Sequence, residues 1–590
     1  MTGRCTAAAL AAGVVVLVAS AASAADPGRT AGTSSAATVT PSGQAALNLV
    51  FVLDGLRPDS ISETETPTIA RLRRQGVEFT ASHAVTPTVT RVNASAIGSG
   101  YYPGRSGIVG NAMYVPEVDP HAAFSTGDAT QLLRLGELTG RVVLPQTLGE
   151  RMEAAGKKLV VVGSGSSGST FLLNPLAPEG TGVLINTGDP GGKTRLAYPR
   201  QVQEEVLARF GPPTTKAGVP NSNASVDYAT RVLTEYVLPD LKPDVVLTWL
   251  TEPDAAQHEH GVGSPEAKAT IRNDDHALAR VLTALDRRGL TGRTNIFLVS
   301  DHGFSLTTGT VDVAGELIGA GLKAGPDSDD VVVAGTGGAL VYVKGHDPTR
   351  IRRIGAYLQR QPWAGPLYSA ARRPVGGRYQ VVPRHTSLGA QSQGWVRGTQ
   401  SLELVHEGNP ERGADILVTF PWGSERNAFG VPGTATSAGT STGPTTGNAS
   451  SHGSLSPWDV HNTMLAWGVD IKDRMRSAVP AGNVDIAPTV LALEGVAVRD
   501  ELDGRVLREA LVNGLDPSKV PTQTLIVRTP VAGGATLLTQ VSLVGGRHYV
   551  DQSWLRRHSR STPPQSHDPP PTTEHDASPE ISWQGCVSGC

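Results

Sequence analysis

Continuous apolar runs that end in polar residues are the main pattern of this chain. Buried parallel strands have this pattern, and segments with helical apolar spacing lie between the runs. The runs are LNLVFVLD, KKLVVV, DVVLTWL and NIFLVSDHG, and the helical segments include TPTIARLRRQG and SPEAKATIRNDDHALARVLTALDRRG. Strands that alternate with helices predict an α/β fold whose mainly parallel central sheet carries helices on both faces.

The regular alternation weakens between Gly303 and Ser451. Shorter strands (VVVAG, ALVYVK, DILVTF) and a helix near 348–361 predict an α+β cap at about 305–450, inserted into a main domain of residues 46–515. The low-complexity stretch 431–450 is predicted to be a mobile loop. QTLIVRTP and TLLTQVSLV predict a final strand pair in a C-terminal extension, residues 516–555.

Both ends of the chain have their own signals. Residues 1–24 have the positive start, apolar stretch and small-residue site of a secretory signal peptide, and the stretch is short for a membrane span. We expect an exported protein without a membrane anchor. Residues 25–45 are predicted to be a flexible lead-in before the main domain. Residues 556–590 are predicted to be a disordered tail. In CVSGC, Cys586 and Cys590 either form a small disulfide, the favoured reading, or bind a stray metal.

Composition excludes some functions. A net charge of −3 gives no reason to expect binding to nucleic acid or to a membrane surface. GSGSSG, residues 163–168, fits a dinucleotide-binding pattern after a strand. The following STFLLNPLAPEG contains prolines and a glycine, so we expect no helix there to receive a pyrophosphate. The sequence gives no indication of the oligomeric state.

Acidic residues and histidines follow three of the apolar runs. They are Asp54, Asp254, His258, Asp301 and His302. Taken singly, each has a structural alternative: a turn former, a helix cap beside a surface histidine, or a solvated strand end. Because functional residues gather at the carboxyl ends of parallel strands, we expect all five at one sheet edge. Three carboxylates and two imidazoles predict a metal site, with zinc favoured.

A further segment carries a resemblance to a known family. TPTVTRVNASAIGSGYYPGRSGIVGN resembles the nucleophile region of the alkaline phosphatase superfamily, and most closely its type I phosphodiesterase/nucleotide pyrophosphatase branch. VLDGLRPD, TEPDAAQH, VSDHG and HGSLSPWDVHN match other motifs of that branch in order. The resemblance covers roughly residues 47–500. It implies an alkaline phosphatase-like fold, with 46–515 as the catalytic domain.

The resemblance also implies roles for individual residues. Thr90 falls on the family's nucleophile, and Asn111 on the asparagine that contacts a non-bridging phosphoryl oxygen. Two divalent ions are implied, and the histidine content favours zinc for both. One would be held by Asp54, Asp301, His302 and the Thr90 oxygen, and the other by Asp254, His258 and His452. His461, nine residues further on, is the rival of His452.

These implied roles fit elementary chemistry. Two zinc ions roughly 4 Å apart can hold the attacking and leaving oxygens of an in-line displacement. A threonine hydroxyl needs such activation before it attacks phosphorus. TRVNASAIG has helical spacing, so Thr90 at its start would direct backbone N–H groups at a phosphate; otherwise it is an ordinary helix cap. We therefore expect hydrolysis of a small phosphate ester through a phosphothreonine.

The chain departs from the branch pattern beside the nucleophile. Arg91 and Val92 stand where the branch has Phe and Pro, so Arg91 either binds an anionic substrate or is a solvated charge. The Lys-x-Arg of threonine-using monoesterases is absent, which favours diesters. The alternatives are a phosphomonoesterase, phosphonate or sulfate hydrolase with the same site, and a non-catalytic exported binding protein. The complete ligand set disfavours the binding protein, and the lack of a C/S-x-P-x-R motif disfavours a sulfatase.

Overall fold

Nine strands form the central sheet of the computed structural model. They are β1 (Leu47–Leu53), β2 (Val77–Phe79), β3 (Leu159–Gly163), β4 (Val183–Asn186), β5 (Ala197–Tyr198), β6 (Val245–Leu250), β7 (Thr294–Val299), β8 (Met464–Gly468) and β9 (Met475–Ser477). Their order across the sheet is β9-β2-β8-β7-β1-β6-β3-β4-β5. The structure describes residues 45–188, 194–213, 221–375, 378–381, 395–439, 449–497 and 502–557.

The centre of the sheet is parallel and its outer parts are mixed. β1 pairs in parallel with β7 and β6, and β3 pairs in parallel with β6 and β4. β8 runs antiparallel to β7 and β2, and β5 runs antiparallel to β4. The predicted mainly parallel sheet is thus confirmed for its five central strands.

Helices cover both faces of the sheet, as predicted. On β1, Val50 and Val52 point into one core cluster, whereas Leu49, Phe51 and Leu53 point into the other. This alternation follows from the two-residue period of a strand. Helices on the first side are Thr90–Ser99, Ala129–Thr139, Leu148–Ala154, Ser167–Leu173 and Ile486–Leu493. Helices on the second side are Pro67–Gln75, Arg200–Phe210, Asn221–Val232, continued by the π-helix Leu233–Leu241, and Pro265–Arg287.

Two smaller sheets lie in the segment predicted as a cap. One orders Trp422–Arg426, Pro432–Ala438, Ser305–Val311 and Ser450–Ser451, and the other orders Val331–Thr336, Gly338–Val343, Ile416–Val418, Leu367–Ser369 and Gln400–Ser401. Helices Val313–Gly319 and Pro348–Leu358 accompany them. The strands and the helix that the sequence predicts here are present.

The prediction of a mobile loop at 431–450 is wrong for Pro432–Ala438. This segment is a strand that pairs with Ser305–Val311 on one side and Trp422–Arg426 on the other. Two partner strands supply its backbone hydrogen bonds, so its small and polar side chains do not prevent it from ordering. Residues 440–448 lie outside the described residues.

The C-terminal extension forms three strands instead of the predicted pair. Thr522–Pro530, Thr536–Val544 and Arg547–Arg556 make an antiparallel sheet. The signal peptide, the lead-in up to residue 44, the tail from residue 558 and the CVSGC cysteines lie outside the described residues. No helix in the described part of the chain combines the length and apolar character needed to span a bilayer. The domain boundaries stay predictions.

The expectation that no helix follows GSGSSG is also wrong. Helix Ser167–Leu173 begins within it, capped by the Ser166 side chain, which accepts a hydrogen bond from the Ser169 backbone N–H. The Gly168 N–H donates to the Gly127 carbonyl at 2.9 Å, and a Cβ on Gly168 would lie 2.0 Å from the Thr126 carbonyl oxygen. The backbone of residues 126–127 therefore covers this helix start, and the segment forms no dinucleotide site.

The close packing of helix Pro67–Gln75 on the sheet gives a stability prediction. A Cβ on Gly76 would lie 2.1 Å from the Ala466 carbonyl oxygen on β8, whereas a Cβ on Gly319 meets nothing within 4 Å. Gly76→Ala should reduce the free energy of unfolding by about 2 kcal/mol through overpacking. Gly319→Ala should change it little. Urea unfolding midpoints measure both, and equal midpoints would contradict the predicted contact.

Candidate metal centre

Three neighbouring parallel strands bring the predicted acidic residues together. Asp54 follows β1, Asp301 follows β7, and Asp254 begins helix Asp254–His260 just after β6. Since β7, β1 and β6 are adjacent and parallel, their carboxyl ends lie at one sheet edge. His452 reaches the same place from the loop after strand Ser450–Ser451.

The first group consists of Asp54, Asp301 and His302. One potential ligand atom from each lies within 4.8 Å of the others. His302 Nε2 is 3.0 Å from Asp301 Oδ2 and 3.6 Å from Asp54 Oδ1. All three side chains are buried, and the Thr90 hydroxyl oxygen lies 3.4 Å from His302 Nε2. The structure therefore brings Thr90 to this group.

The second group consists of Asp254, His258 and His452. Asp254 Oδ1 is 3.3 Å from His258 Nε2 and 3.4 Å from His452 Nε2. The rings of His452 and His302 stack with their centroids 3.5 Å apart. The two groups are therefore immediate neighbours.

Backbone carbonyls fix the orientation of all three imidazoles. In each ring the Nδ1–H donates to a carbonyl oxygen, which leaves the Nε2 lone pair directed into its group. The distances are 2.9 Å from His258 to Ser450, 3.0 Å from His302 to Gly303, and 2.9 Å from His452 to Thr88. This is the tautomer that an Nε2 metal ligand requires.

The unpartnered carboxylate oxygens test whether the groups fit metal ions. Asp54 Oδ1, Asp254 Oδ1 and Asp301 Oδ2 are buried without a hydrogen-bond partner. The other oxygens of Asp54 and Asp301 accept from Trp249 Nε1–H at 3.0 Å and from the Gly55 N–H at 2.9 Å. Buried carboxylate oxygens without a partner are costly, and a cation removes that cost. Each group offers mixed nitrogen and oxygen ligands and fits a divalent ion.

The pKa shifts reflect crowded negative charge. Burial, followed by the charges of Asp301 and Asp254, raises the pKa of Asp54 well above its usual value. Burial also acts to raise the pKa of Asp254, but the charge of His258 and its hydrogen bond, with smaller effects of His452 and His302, lower it overall. Burial tends to lower the pKa of His302, yet Asp301 raises it. Asp301 thus favours the charged form of His302, whereas burial, followed by the charge of His302, lowers the pKa of His452 well below its usual value.

Thr90 is the first residue of helix Thr90–Ser99. The N-cap is Val89, with extended backbone and no side-chain cap, so the alternative of Thr90 as a helix cap is wrong. Asn111 Oδ1 accepts the Arg91 backbone N–H at 3.0 Å, which places both residues beside Thr90 at this helix start. The sequence-predicted site residues therefore lie together, while their catalytic roles stay predictions.

The rival histidine lies elsewhere. The Nδ1–H of His461 donates to the Ser82 carbonyl at 3.0 Å, and His461 belongs to neither group. The structure therefore favours His452 as the third residue of the second group.

Three contributors were missed by the sequence reasoning. Trp249 lies inside the apolar run of β6, where an indole is typical of a buried core. Phe304 packs against three imidazoles, with centroid distances of 4.9 Å to His258, 5.9 Å to His302 and 5.2 Å to His452. The third is a buried arginine three residues after Asp54, a spacing that could have drawn attention to it.

This arginine, Arg57, connects several loops of the site. Its Nη1–H groups donate to the Phe304 carbonyl at 2.7 Å and to the Pro432 carbonyl at 2.8 Å. Its guanidinium also lies over the Trp458 ring, 5.3 Å from the centroid. Arg57 therefore joins the loop of Asp54 to the loop of His302 and to the inserted segment.

A family model and individual known proteins both show similarity to phosphodiesterases and nucleotide pyrophosphatases. The type I phosphodiesterase / nucleotide pyrophosphatase family model matches residues 48–351. The chain is 26% identical over 279 residues to venom phosphodiesterase 2 of Crotalus adamanteus, covering 46% of this chain and 28% of that protein. It is 24% identical over 261 residues to ectonucleotide pyrophosphatase/phosphodiesterase family member 1 of Rattus norvegicus, covering 43% and 24%. The match thus spans less than a third of either relative.

Metal analysis distinguishes the two histidines. His452→Ala should lower the bound zinc from two ions per chain to about one, because the second group loses a nitrogen ligand. His461→Ala is the matched control and should keep both ions. Inductively coupled plasma mass spectrometry of zinc-loaded protein measures this. Full occupancy in the His452 variant would transfer the ligand role away from this residue.

The Trp249 hydrogen bond gives a separate prediction. Trp249→Phe keeps an aromatic ring in the core but removes the donor to Asp54, so zinc affinity at the first group should fall about 10- to 100-fold. Trp363→Phe is the control, because the Trp363 Nε1 atom is buried and has no hydrogen-bond partner. Chelator competition measures both affinities. Unchanged affinity in the Trp249 variant would show that this hydrogen bond does not tune the ligand.

Proposed function

Because the chain belongs to the type I phosphodiesterase / nucleotide pyrophosphatase family, we propose that it hydrolyses phosphodiester and nucleotide pyrophosphate bonds, with Thr90 as the nucleophile. One observation carries the proposal: the Thr90 hydroxyl lies 3.4 Å from His302 Nε2, beside the two adjacent groups. A nucleophile next to two candidate cation sites is the arrangement that phosphoryl transfer needs.

The two groups of side chains would each hold one divalent ion. Two divalent ions, when bound, would lower the pKa of the Thr90 hydroxyl and stabilise charge on the attacking and leaving oxygens. Asp54, Asp301 and His302 would hold one ion, and Asp254, His258 and His452 the other. We propose zinc for both, since three imidazoles and three carboxylates suit it.

The proposed cycle has two displacements. The Thr90 hydroxyl loses its proton to solvent, and its oxygen forms a bond to phosphorus while the bond to the leaving oxygen breaks. The leaving oxygen takes up a proton. Water then adds to phosphorus, the bond to Thr90 breaks, and the threonine oxygen is protonated again. Backbone N–H groups at the start of helix Thr90–Ser99 and the side chain of Asn111 would bind the non-bridging oxygens.

The proposal extends to substrate and location. The substrate would be a small phosphate ester rather than a nucleic acid, given the net charge of −3. The sequence signal at residues 1–24 supports export of the protein. Relatives whose names contain "venom" and "ectonucleotide" agree with it.

Substitution of the nucleophile tests the function. Thr90→Ala should reduce the turnover of bis(4-nitrophenyl) phosphate by about 10³-fold or more, while zinc content stays close to two ions, because the covalent step is lost. Thr283→Ala, on the exposed side of helix Pro265–Arg287, is the control and should keep full activity. Turnover that survives in the Thr90 variant would rule out the phosphothreonine route. A wild-type protein without any hydrolase activity would favour the non-catalytic binding protein.

A further inference from the structure

The charge of Arg91 has no ion-pair partner in the described part of the chain. Arg91 directly follows Thr90 in helix Thr90–Ser99 and is half-buried. Its Nε atom is buried without a hydrogen-bond partner, and in the described part of the chain the guanidinium forms no ion pair. A half-buried cation without a partner is costly to maintain in a structure, unless a ligand supplies the opposite charge.

One side of the Arg91 guanidinium packs against the backbone of Gly127. A Cβ on Gly127 would lie 2.7 Å from Arg91 Nη2 and 3.3 Å from its Cζ, so the side chain lies directly against this glycine. Gly127 is in turn held by Gly168, whose N–H donates to the Gly127 carbonyl at 2.9 Å. The guanidinium therefore lies against backbone that side-chain rotation cannot displace.

Arg91 also lies close to the candidate metal centre. It directly follows Thr90, whose hydroxyl oxygen lies 3.4 Å from His302 Nε2 of the first group. Its own backbone N–H holds Asn111, so the residue adjoins both the nucleophile and the proposed phosphoryl ligand. A group bound near Thr90 would thus lie beside Arg91.

Charge balance then indicates the class of substrate. While the Thr90 hydroxyl still carries its proton, three carboxylates and two divalent ions leave one positive charge, and Arg91 adds a second. A simple diester, with one negative charge, would leave the half-buried site with uncompensated charge. We propose that Arg91 selects phosphates with two negative charges at or next to the scissile phosphorus, in preference to monoanionic diesters. This inference rests on the proposed function. Phosphomonoesters and phosphoanhydrides share this chemistry, and the planar guanidinium can bind two of their oxygens.

Ligand binding tests the proposal without turnover. In zinc-loaded Thr90→Ala protein, calorimetry at pH 8 measures the affinity for inorganic phosphate, a dianion, and for dimethyl phosphate, a monoanion. Adding Arg91→Met should weaken phosphate binding at least tenfold and dimethyl phosphate binding less than threefold. Adding Arg352→Met, a change on the exposed side of a distant helix, should alter neither. Equal effects on both ligands, or none, would overturn the proposal.

Turnover measurements show whether the second negative charge lies on the scissile phosphate or on the leaving group. The specificity constants kcat/KM are compared for 4-nitrophenyl phosphate, ADP and bis(4-nitrophenyl) phosphate. Arg91→Met should lower kcat/KM at least tenfold more for 4-nitrophenyl phosphate or for ADP, which carry two or more negative charges, than for the monoanionic diester. A larger loss with 4-nitrophenyl phosphate locates the second charge on the scissile group, and a larger loss with ADP locates it on the leaving group. A uniform loss contradicts the proposal. If the wild type cleaves none of the three, the proposed function fails, and the binding measurement still decides the role of Arg91.

A second variant tests the role of Arg91 without removing its side chain. Gly127→Ala keeps the charge of Arg91 but forces its guanidinium to move, because the new Cβ would lie within 2.7 Å of it. The same selective loss for dianionic ligands is expected, with the thermal midpoint close to that of the wild type. If neither Gly127→Ala nor Arg91→Met changes the preference for dianionic over monoanionic ligands, Arg91 is an ordinary surface charge.

Discussion

Mutual repulsion among three neighbouring carboxylates, two of them fully buried, is the constraint on which the site depends. Asp54, Asp254 and Asp301 each present an oxygen without a hydrogen-bond partner at one edge of the sheet. The parallel arrangement of β7, β1 and β6 produces this crowding directly, since adjacent parallel strands end side by side. Protons or cations must neutralise such a cluster. The three imidazoles directed at these oxygens favour bound cations over protons, and the proposed nucleophile, Thr90, lies beside them.

The surrounding residues make this arrangement rigid. Trp249 donates a hydrogen bond to one oxygen of Asp54, and the Gly55 N–H donates to one oxygen of Asp301. Three backbone carbonyls set the histidine tautomers. Phe304 fills the space beside all three rings. None of these groups needs to touch a substrate. They determine which atoms remain available to an ion, so the protein itself establishes the geometry of the candidate ligand atoms.

The sequence predicted the acids well because each follows an apolar run, and a parallel sheet leaves few places for such residues. His452 was reached through family resemblance alone, since no apolar run precedes it and only the folded chain brings it to Asp254. Trp249 could not be recognised, because an indole within an apolar strand looks the same whether or not its N–H meets a carboxylate. The strand Pro432–Ala438 was misread for a related reason: its order comes from two partner strands distant in sequence, and its own composition is that of a loop.

The bonds of the inserted segment to the centre limit how the chain could be rearranged. The Pro432 carbonyl accepts from Arg57, the Ser450 carbonyl orients His258, and His452 follows directly after the last strand of that segment. This part of the chain is therefore not a removable accessory. A shortened form that kept only the nine-stranded sheet would lose the candidate ligand His452, the carbonyl that orients His258 and the Pro432 carbonyl that binds Arg57. Recombination between relatives should accordingly preserve the segment together with the sheet as one inherited unit.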